Sequence, residues 1–251
     1  MQNTIHISLQ SKGGIGKSLI AVATAAWLRK KAGDVVVLNV DPENDTICQY
    51  ASLGATDVDI LTCGSSGEID IDKIKFDAMI DKLASESRPV VIDVGTSAFR
   101  PFIAYLQEYG ILQILADVGK TVYLDVMIAG GQHVPDTTAG AMEIKNIAAG
   151  TGAEIVIWNN KHKGDTGVLN ADEGFIAAPD GVDFASVIGS TKSITMSQHS
   201  PQSQQRLDEI VFSPRALLDD VNANPDRGVV QKIVAAKYYN EIFDELDAAF
   251  A

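Results

Sequence analysis

The chain has 251 residues, 46% hydrophobic and 21% charged, a balance that fits a folded globular protein and excludes a disordered one. Lysine and arginine number 20 against 33 aspartates and glutamates, so the formal net charge is 20 − 33 = −13. This excess is first a well-solvated surface and second a surface suited to basic protein partners, and it opposes general contact with DNA or anionic lipid. No run of eighteen apolar residues occurs, and MQNTIHISLQ has neither a basic region nor a long apolar stretch; no membrane span or signal peptide is expected, and the expected compartment is the cytoplasm. Cys48 and Cys63 are expected to be reduced there and do not form a CxxC metal pair.

In chain order, TIHISLQ (Thr4 to Gln10) alternates as a strand. Leu19 to Lys31 reads as a buried helix with Arg29, Lys30 and Lys31 at the negative end of its dipole and Gly33 as its stop. VVVLNV (Val35 to Val40) is the continuous apolar run of a strand buried on both faces. Phe76 to Ala84 predicts a helix, Pro89 to Gly95 a strand, Phe102 to Tyr109 a helix and Thr121 to Gly130 a strand. A helix around Thr137 to Ala149 and strands at Ala153 to Asn159 and Phe184 to Ile188 follow. In Gly228 to Phe250, Val230, Ile233, Val234, Ile242, Phe243, Leu246 and Phe250 recur at helical spacing. Its polar face carries Glu241, Asp244, Glu245 and Asp247 against Lys232 and Lys237, so it is expected to pack on the core rather than on a membrane, which wants a basic face. Strand–helix alternation predicts an α/β fold, one domain over residues 1–251 with a mostly parallel central sheet covered by helices on both faces.

Between the first strand and first helix lies Ser11-Lys12-Gly13-Gly14-Ile15-Gly16-Lys17-Ser18. Gly13, Gly14 and Gly16 let successive backbone N–H groups, with those of Ile15 and Leu19, converge on phosphate oxygens at a helix N-terminus. The Lys17 ammonium reaches the β- and γ-phosphates, and the Ser18 hydroxyl suits Mg²⁺. Strand, glycines, lysine, serine and helix agree on binding of ATP with magnesium. Asp41 follows VVVLNV and Asp93 ends VVID, so both stand at the carboxyl ends of strands, where such sheets place ligands. Asp93 suits the acidic position that holds Mg²⁺, with Gly95 and Thr96 after it placed to respond to loss of the γ-phosphate.

The loop departs from the ordinary pattern, with Ser11 where glycine is usual and an additional lysine, Lys12. KGGIGKS resembles the deviant phosphate loop of the ParA/MinD superfamily of ATPases, which have a P-loop NTPase fold of the SIMIBI type. The resemblance implies that Lys12 reaches the nucleotide of the opposite subunit in an ATP-bound homodimer, joining Lys17 in catalysis. NVDPEND resembles that superfamily's switch segment: Asp41 matches the aspartate before proline, which orients the attacking water near Mg²⁺ and counts with Ser18 and Asp93 as a metal residue, while Asn39 replaces an earlier aspartate. The resemblance also implies an adenine-reading asparagine after a later strand; IVIWNNK offers Asn159 and Asn160, of which Asn160, near Lys161, is preferred.

IHISLQSKGGIGKSLIA, DPENDT with Tyr50 after it, KFDAMID, VVIDVGTSAF and GGQHVPDTTAG together resemble the plasmid conjugal-transfer branch of the superfamily, the TraL family, over roughly the first two thirds of the chain. That implies a slowly hydrolysing, partner-stimulated ATPase with a protein partner in a conjugation or plasmid-maintenance system. A partition-type ATPase binding DNA is disfavoured by the charge, although Lys161, His162 and Lys163 form a small basic cluster. A division-site ATPase wants a basic membrane helix, and a nitrogenase-reductase-like carrier wants bridging cysteines that Cys48 and Cys63 do not provide. A ligase of the dethiobiotin-synthetase kind and an ATP-holding module without turnover are further alternatives.

Overall fold

The structure, a computed structural model, describes residues 1–63, 69–72, 74–164, 168–170, 174–176 and 188–251. Alternation along β1 (Thr4–Leu9) sends Ile5, Ile7 and Leu9 into one core, while His6 turns to the other, against Tyr123 and Phe250. The same division recurs in β2 (Val36–Val40), β6 (Val90–Val94), β7 (Thr121–Ala129) and β8 (Glu154–Asn160), whereas β11 (Lys192–Met196) buries one face and the two-residue β3 (Thr56–Asp57) is exposed at both positions. These seven form one sheet in the order β11-β8-β7-β1-β6-β2-β3, with every neighbouring pair parallel. Two antiparallel hairpins lie outside it, β4 (Leu61–Cys63) with β5 (Ile69–Ile71) and β9 (Val168–Asn170) with β10 (Gly174–Ile176).

One face is covered by α1 (Lys17–Ala32) and the long α8 (Val229–Ala249), around Trp27, Trp158, Tyr239 and Phe243. The other is covered by α2 (Lys75–Ser85), α3 (Thr96–Glu108), α4 (Ile111–Asp117) and α5 (Val134–Ala148), around Phe76, Phe99, Phe102 and Ile144. Short α6 (Pro201–Leu207), which runs into a π-helical turn at Asp208–Phe212, and α7 (Leu218–Ala223) pack beside α8. A buried polar network crosses the α1 face: Asp125 takes the Trp158 indole N–H at 2.8 Å and hydrogen-bonds His6 Nδ1 at 2.9 Å.

Helix α1 ends at Gly33, whose φ of +84° terminates it as its sequence predicts. Helix α3 begins at Thr96, six residues before the expected Phe102, because Pro101 lies inside the helix rather than ahead of it. The strand expected at Phe184 to Ile188 lies outside the described residues except for Ile188, which is helical. The last strand of the sheet is instead β11, where Ile194 and Met196 alternate with Ser193 and Thr195. In α8, burial begins at Ala235; Val230 and Ile233 are 65% and 60% exposed, against the expectation that they join the core. Among the described residues, no helix is long and apolar enough to cross a membrane.

Candidate functional site

The glycine-rich loop leaves the central strand β1 and enters α1, at the crevice where the chain turns to opposite sides of the sheet. Gly14 and Gly16 have φ of +70° and +105°, backbone that side-chain-bearing residues rarely adopt. A Cβ on Gly16 would also lie 3.4 Å from both Asn160 Nδ2 and Met127 Cε. The loop's root is fixed by Gln10, which is fully buried. Gln10 Nε2 donates to the Met127 and Thr137 carbonyls, each at 2.9 Å, and its Oε1 accepts from Ser11 N at 2.8 Å and Ser11 Oγ at 3.2 Å. Gln10 carries no charge or motif signal, and its role is visible only once α5 is seen packed over the loop.

Lys17 Nζ donates to the Lys12 carbonyl at 3.0 Å and to Thr96 Oγ1 at 2.8 Å. Burial holds this ammonium below the ordinary lysine range, while the charges of Asp93 and Asp41 pull it back up. The Ser18 hydroxyl donates to Asp93, which is 2% exposed. Burial pushes Asp93 up to about 6, against the opposing pull of Ser18 and Lys17. Asp41 adjoins them: an alanine Cβ at Gly95 would stand 2.4 Å from Asp41 Cγ and 2.8 Å from its Cα. Gly95 thus permits close approach of the two strand ends. Asp41 Oδ1 accepts from Glu43 N at 3.0 Å and Asn44 N at 3.2 Å, which folds the following segment around the carboxylate. Asn39 turns away from this cluster, donating from Nδ2 to Asp57 Oδ1 at 2.8 Å. An aspartate there would set two carboxylates against each other, which accounts for the departure from the usual switch segment.

Lys12 lies apart from Lys17 and donates to Asp136 Oδ2 on α5 at 2.7 Å, with both side chains exposed. At the other end of the loop, Asn160 Nδ2 donates to the Ile15 carbonyl at 2.8 Å, and its Oδ1 accepts from His162 N at 3.0 Å. Asn159 faces elsewhere, donating to Ser193 Oγ on β11 at 2.9 Å. Asn160 is therefore the asparagine brought to the loop, with its amide already engaged in holding Ile15. Beside it opens a cleft of about 520 Å³ lined by Gly14, Leu19, Asn160, His162, His199 and Phe212 among others. His199 and Phe212 come from the region read poorly in sequence; their rings pack around Tyr238, at 6.0 and 5.4 Å between centroids. Lys161 is exposed, and the side chain of Lys163 lies outside the described residues.

A hydroxyl and a buried carboxylate side by side are hard-cation donors, so Ser18 and Asp93 fit Mg²⁺. Among the described residues, no group of three or more His, Cys, Asp or Glu is placed to hold a metal. The ion therefore fits as one shared with phosphate oxygens and water, the usual mode for Mg²⁺. Asp41 faces this pair through charge, its Oδ1 engaged by the turn that follows it and its Oδ2 accepting from Asn44 Nδ2 at 3.2 Å.

Asp93 predicts a pH signature. Its folded value of about 6 lies above the ~4 of a free carboxyl, so its ionisation opposes folding. The penalty is absent below about pH 4, grows with rising pH and is complete above about pH 6. Asp93→Asn keeps an acceptor for Ser18 without the charge. At pH 7.5 this variant should be more stable than the parent by up to roughly 3 kcal/mol, and the gap should close towards pH 4. Thermal melting across that range checks it; a variant that melts lower at pH 7.5 contradicts it.

No protein-family model matches the chain. Protein TraL from Escherichia coli is 33% identical over 162 residues, 64% of this chain, and the match spans 64% of TraL's own length. Among solved structures, the septum site-determining protein MinD complexed with Mg-ADP from Pyrococcus horikoshii superposes with a TM-score of 0.52 at 14% identity, covering 98% of this chain and 96% of that one. A ParA family ATPase from Chlorobium tepidum gives 0.51 at 14% identity, over 97% and 99%. At such identities the structural likeness establishes the fold, and TraL supplies the kinship in sequence. The chain has a ParA/MinD-type fold and is similar in sequence to TraL over 64% of its length.

Proposed function

We propose that this chain binds ATP with Mg²⁺, hydrolyses it slowly, and acts as a nucleotide-dependent homodimer switch in plasmid conjugal transfer or maintenance. One observation carries the reading: the Lys17 ammonium is held between the loop carbonyl of Lys12 and Thr96 at the start of α3, beside the Ser18–Asp93 pair. A buried lysine so placed, on a loop whose Gly14 and Gly16 turn the backbone, suits the β- and γ-phosphates.

In this reading the loop amides and the positive end of α1 hold the phosphates, and Lys17 neutralises charge on the β- and γ-oxygens. Ser18 and Asp93 would hold Mg²⁺, which would supply further neutralisation of phosphate charge. Asp41 accepts a hydrogen bond from the attacking water and orients it. Lys12 leaves Asp136 and reaches the partner subunit's phosphates, adding charge where it develops in the transition state, as an arginine finger does. Thr96 bonds Lys17 and Gly95 touches Asp41, so loss of the γ-phosphate alters both strand-end segments at once and releases the partner protein.

The test uses Asp41→Ala, expected to retain ATP without turnover. With ATP and Mg²⁺ it should run as a dimer on size-exclusion chromatography with light scattering, and as a monomer with ADP. Tight ATP binding by a variant that never dimerises removes the sandwich from the proposal. A conjugation assay with the same variant tests the biological assignment.

A further inference from the structure

A cavity of about 290 Å³ opens between the turn that follows Phe212 and the loop that leads into α8, and it shares no lining residue with the cleft beside the phosphate loop. Arg215 lines it from that turn, Arg227 from that loop and Asp220 from α7. Arg215 has a φ of +53°; the other described non-glycine residue with positive φ is Asn3. Asparagine tolerates left-handed backbone, whereas a long side chain there is strained and persists only where its surroundings fix it. Here they do. Arg215 Nε donates to Gln49 Oε1 at 3.1 Å, and its guanidinium also hydrogen-bonds the hydroxyl of buried Tyr50. Arg227 Nη2 donates to the Glu209 carbonyl at 3.3 Å.

Both guanidiniums are thus positioned by neutral partners. Among the described residues neither is ion-paired to a carboxylate, whereas Arg88 has Asp34 and Glu86, and Arg100 lies 3.9 Å from Glu143. With 33 carboxylates against 20 basic side chains in the chain, the fold still leaves these two charges in one cavity without a counter-ion. Asp220 Oδ2 accepts from Ser52 Oγ at 2.7 Å and from Leu217 N at 2.8 Å, while its Oδ1 takes no hydrogen bond from a described residue. The cavity therefore offers two planar donor forks and one acceptor, beside the small apolar walls of Ala51, Ala216 and Val221.

The complementary ligand carries two acidic groups, one cationic donor and a short aliphatic body. A nucleic-acid strand is a poor match, because Asp220 inside the cavity and the net charge of −13 oppose a chain of phosphates. The volume admits a small molecule only. We propose that this cavity binds a small amino dicarboxylic acid, with Arg215 and Arg227 each taking one carboxylate and Asp220 taking the ammonium. Gln49 holds Arg215 and also donates from Nε2 to Asp45 Oδ1 at 2.7 Å, so one side chain separates the site from the segment that follows Asp41.

The experiment is calorimetric titration of the full chain, without nucleotide, in a buffer free of carboxylate and phosphate at about 0.1 M chloride. L-glutamate should bind saturably, at least about tenfold tighter than glutarate, which lacks the ammonium, or L-glutamine, which lacks one carboxylate. Arg215→Gln and Arg227→Gln should each weaken L-glutamate about tenfold or more, while Arg100→Gln, at an exposed pair on α3, should bind as the parent does. Asp220→Asn should weaken L-glutamate and leave glutarate unchanged. Arg227 has no strained backbone, so its variant reports on the site even if Arg215→Gln fails to fold. No saturable binding of L-glutamate up to about 10 mM, equal binding of either comparison ligand, or unchanged affinity in Arg227→Gln overturns the proposal. Nucleotide is absent and no residue of the phosphate loop lines the cavity, so failure of the ATP reading would leave this result standing, and the reverse.

Discussion

Gly140→Ala should destabilise the protein by about 3 kcal/mol or more and weaken nucleotide binding with it. The direction is not obvious, since an alanine in a helix gains about 1 kcal/mol over glycine. The new Cβ, however, would lie 1.9 Å from Gln10 Oε1, 2.9 Å from Gln10 Cδ and 3.0 Å from Ser11 Oγ. Gln10 is not a flexible surface side chain that swings clear. It is fully buried, and its amide makes four hydrogen bonds spanning β7, α5 and the root of the phosphate loop. Overpacking costs about 1–3 kcal/mol and each buried polar group left unpaired a similar amount, so the clash exceeds the helix gain. For a chain of this size the melting temperature should fall by roughly 6–12 °C. Since Ser11 moves with Gln10, affinity for a fluorescent ATP analogue should fall in the folded variant too. Adding Gln10→Ala should relieve the clash and recover part of the melting temperature. A single variant that melts like the parent would show that α5 does not lock the loop in this way.

This lock marks the limit of what is legible in the sequence. Local signals read well: β1, α1 and β6 sit where periodicity, dipole charges and the Gly33 stop place them. The residues brought together around Lys17 were also legible, because Ser18 and Asp93 belong to motifs with fixed positions at strand and helix ends. Contacts between elements distant in sequence were not. Gln10 and Gly140 are ordinary residues that acquire a role from the packing of α5 on the loop. Asn39 reads as a departure from a pattern until Asp57, eighteen residues on, is found bonded to it. Strand β11 was missed because a five-residue edge strand with two buried apolar side chains gives a weak period-two signal. The walls of the cleft at His199 and Phe212 were missed with it, since they follow that strand.

Lys12 combines the largest expected kinetic effect with a structural objection. The side chain does not point at Lys17 but is paired within its own chain to Asp136 at 2.7 Å, 41% and 56% exposed respectively. Lys12 bonding holds the Asp136 carboxyl below its ordinary range. Pairs this exposed are screened by solvent and salt and give little back when broken. The triphosphate of a second subunit is a far denser anion, so leaving Asp136 is no barrier to the proposed dimer. Two variants separate the roles. Lys12→Ala should bind ATP nearly as the parent does, because Lys17, Ser18 and the loop amides are intact, and should lose hydrolysis by about a thousandfold, the scale of an arginine finger. Asp136→Ala, which only frees the lysine, should change turnover by no more than about fivefold, upward if at all. If Lys12→Ala turns over normally, the lysine is a surface residue whose partner is Asp136, and the cross-subunit mechanism fails. If Asp136→Ala loses activity as Lys12→Ala does, the pair acts as a structural unit of the loop, and the lysine's contribution is made within its own chain.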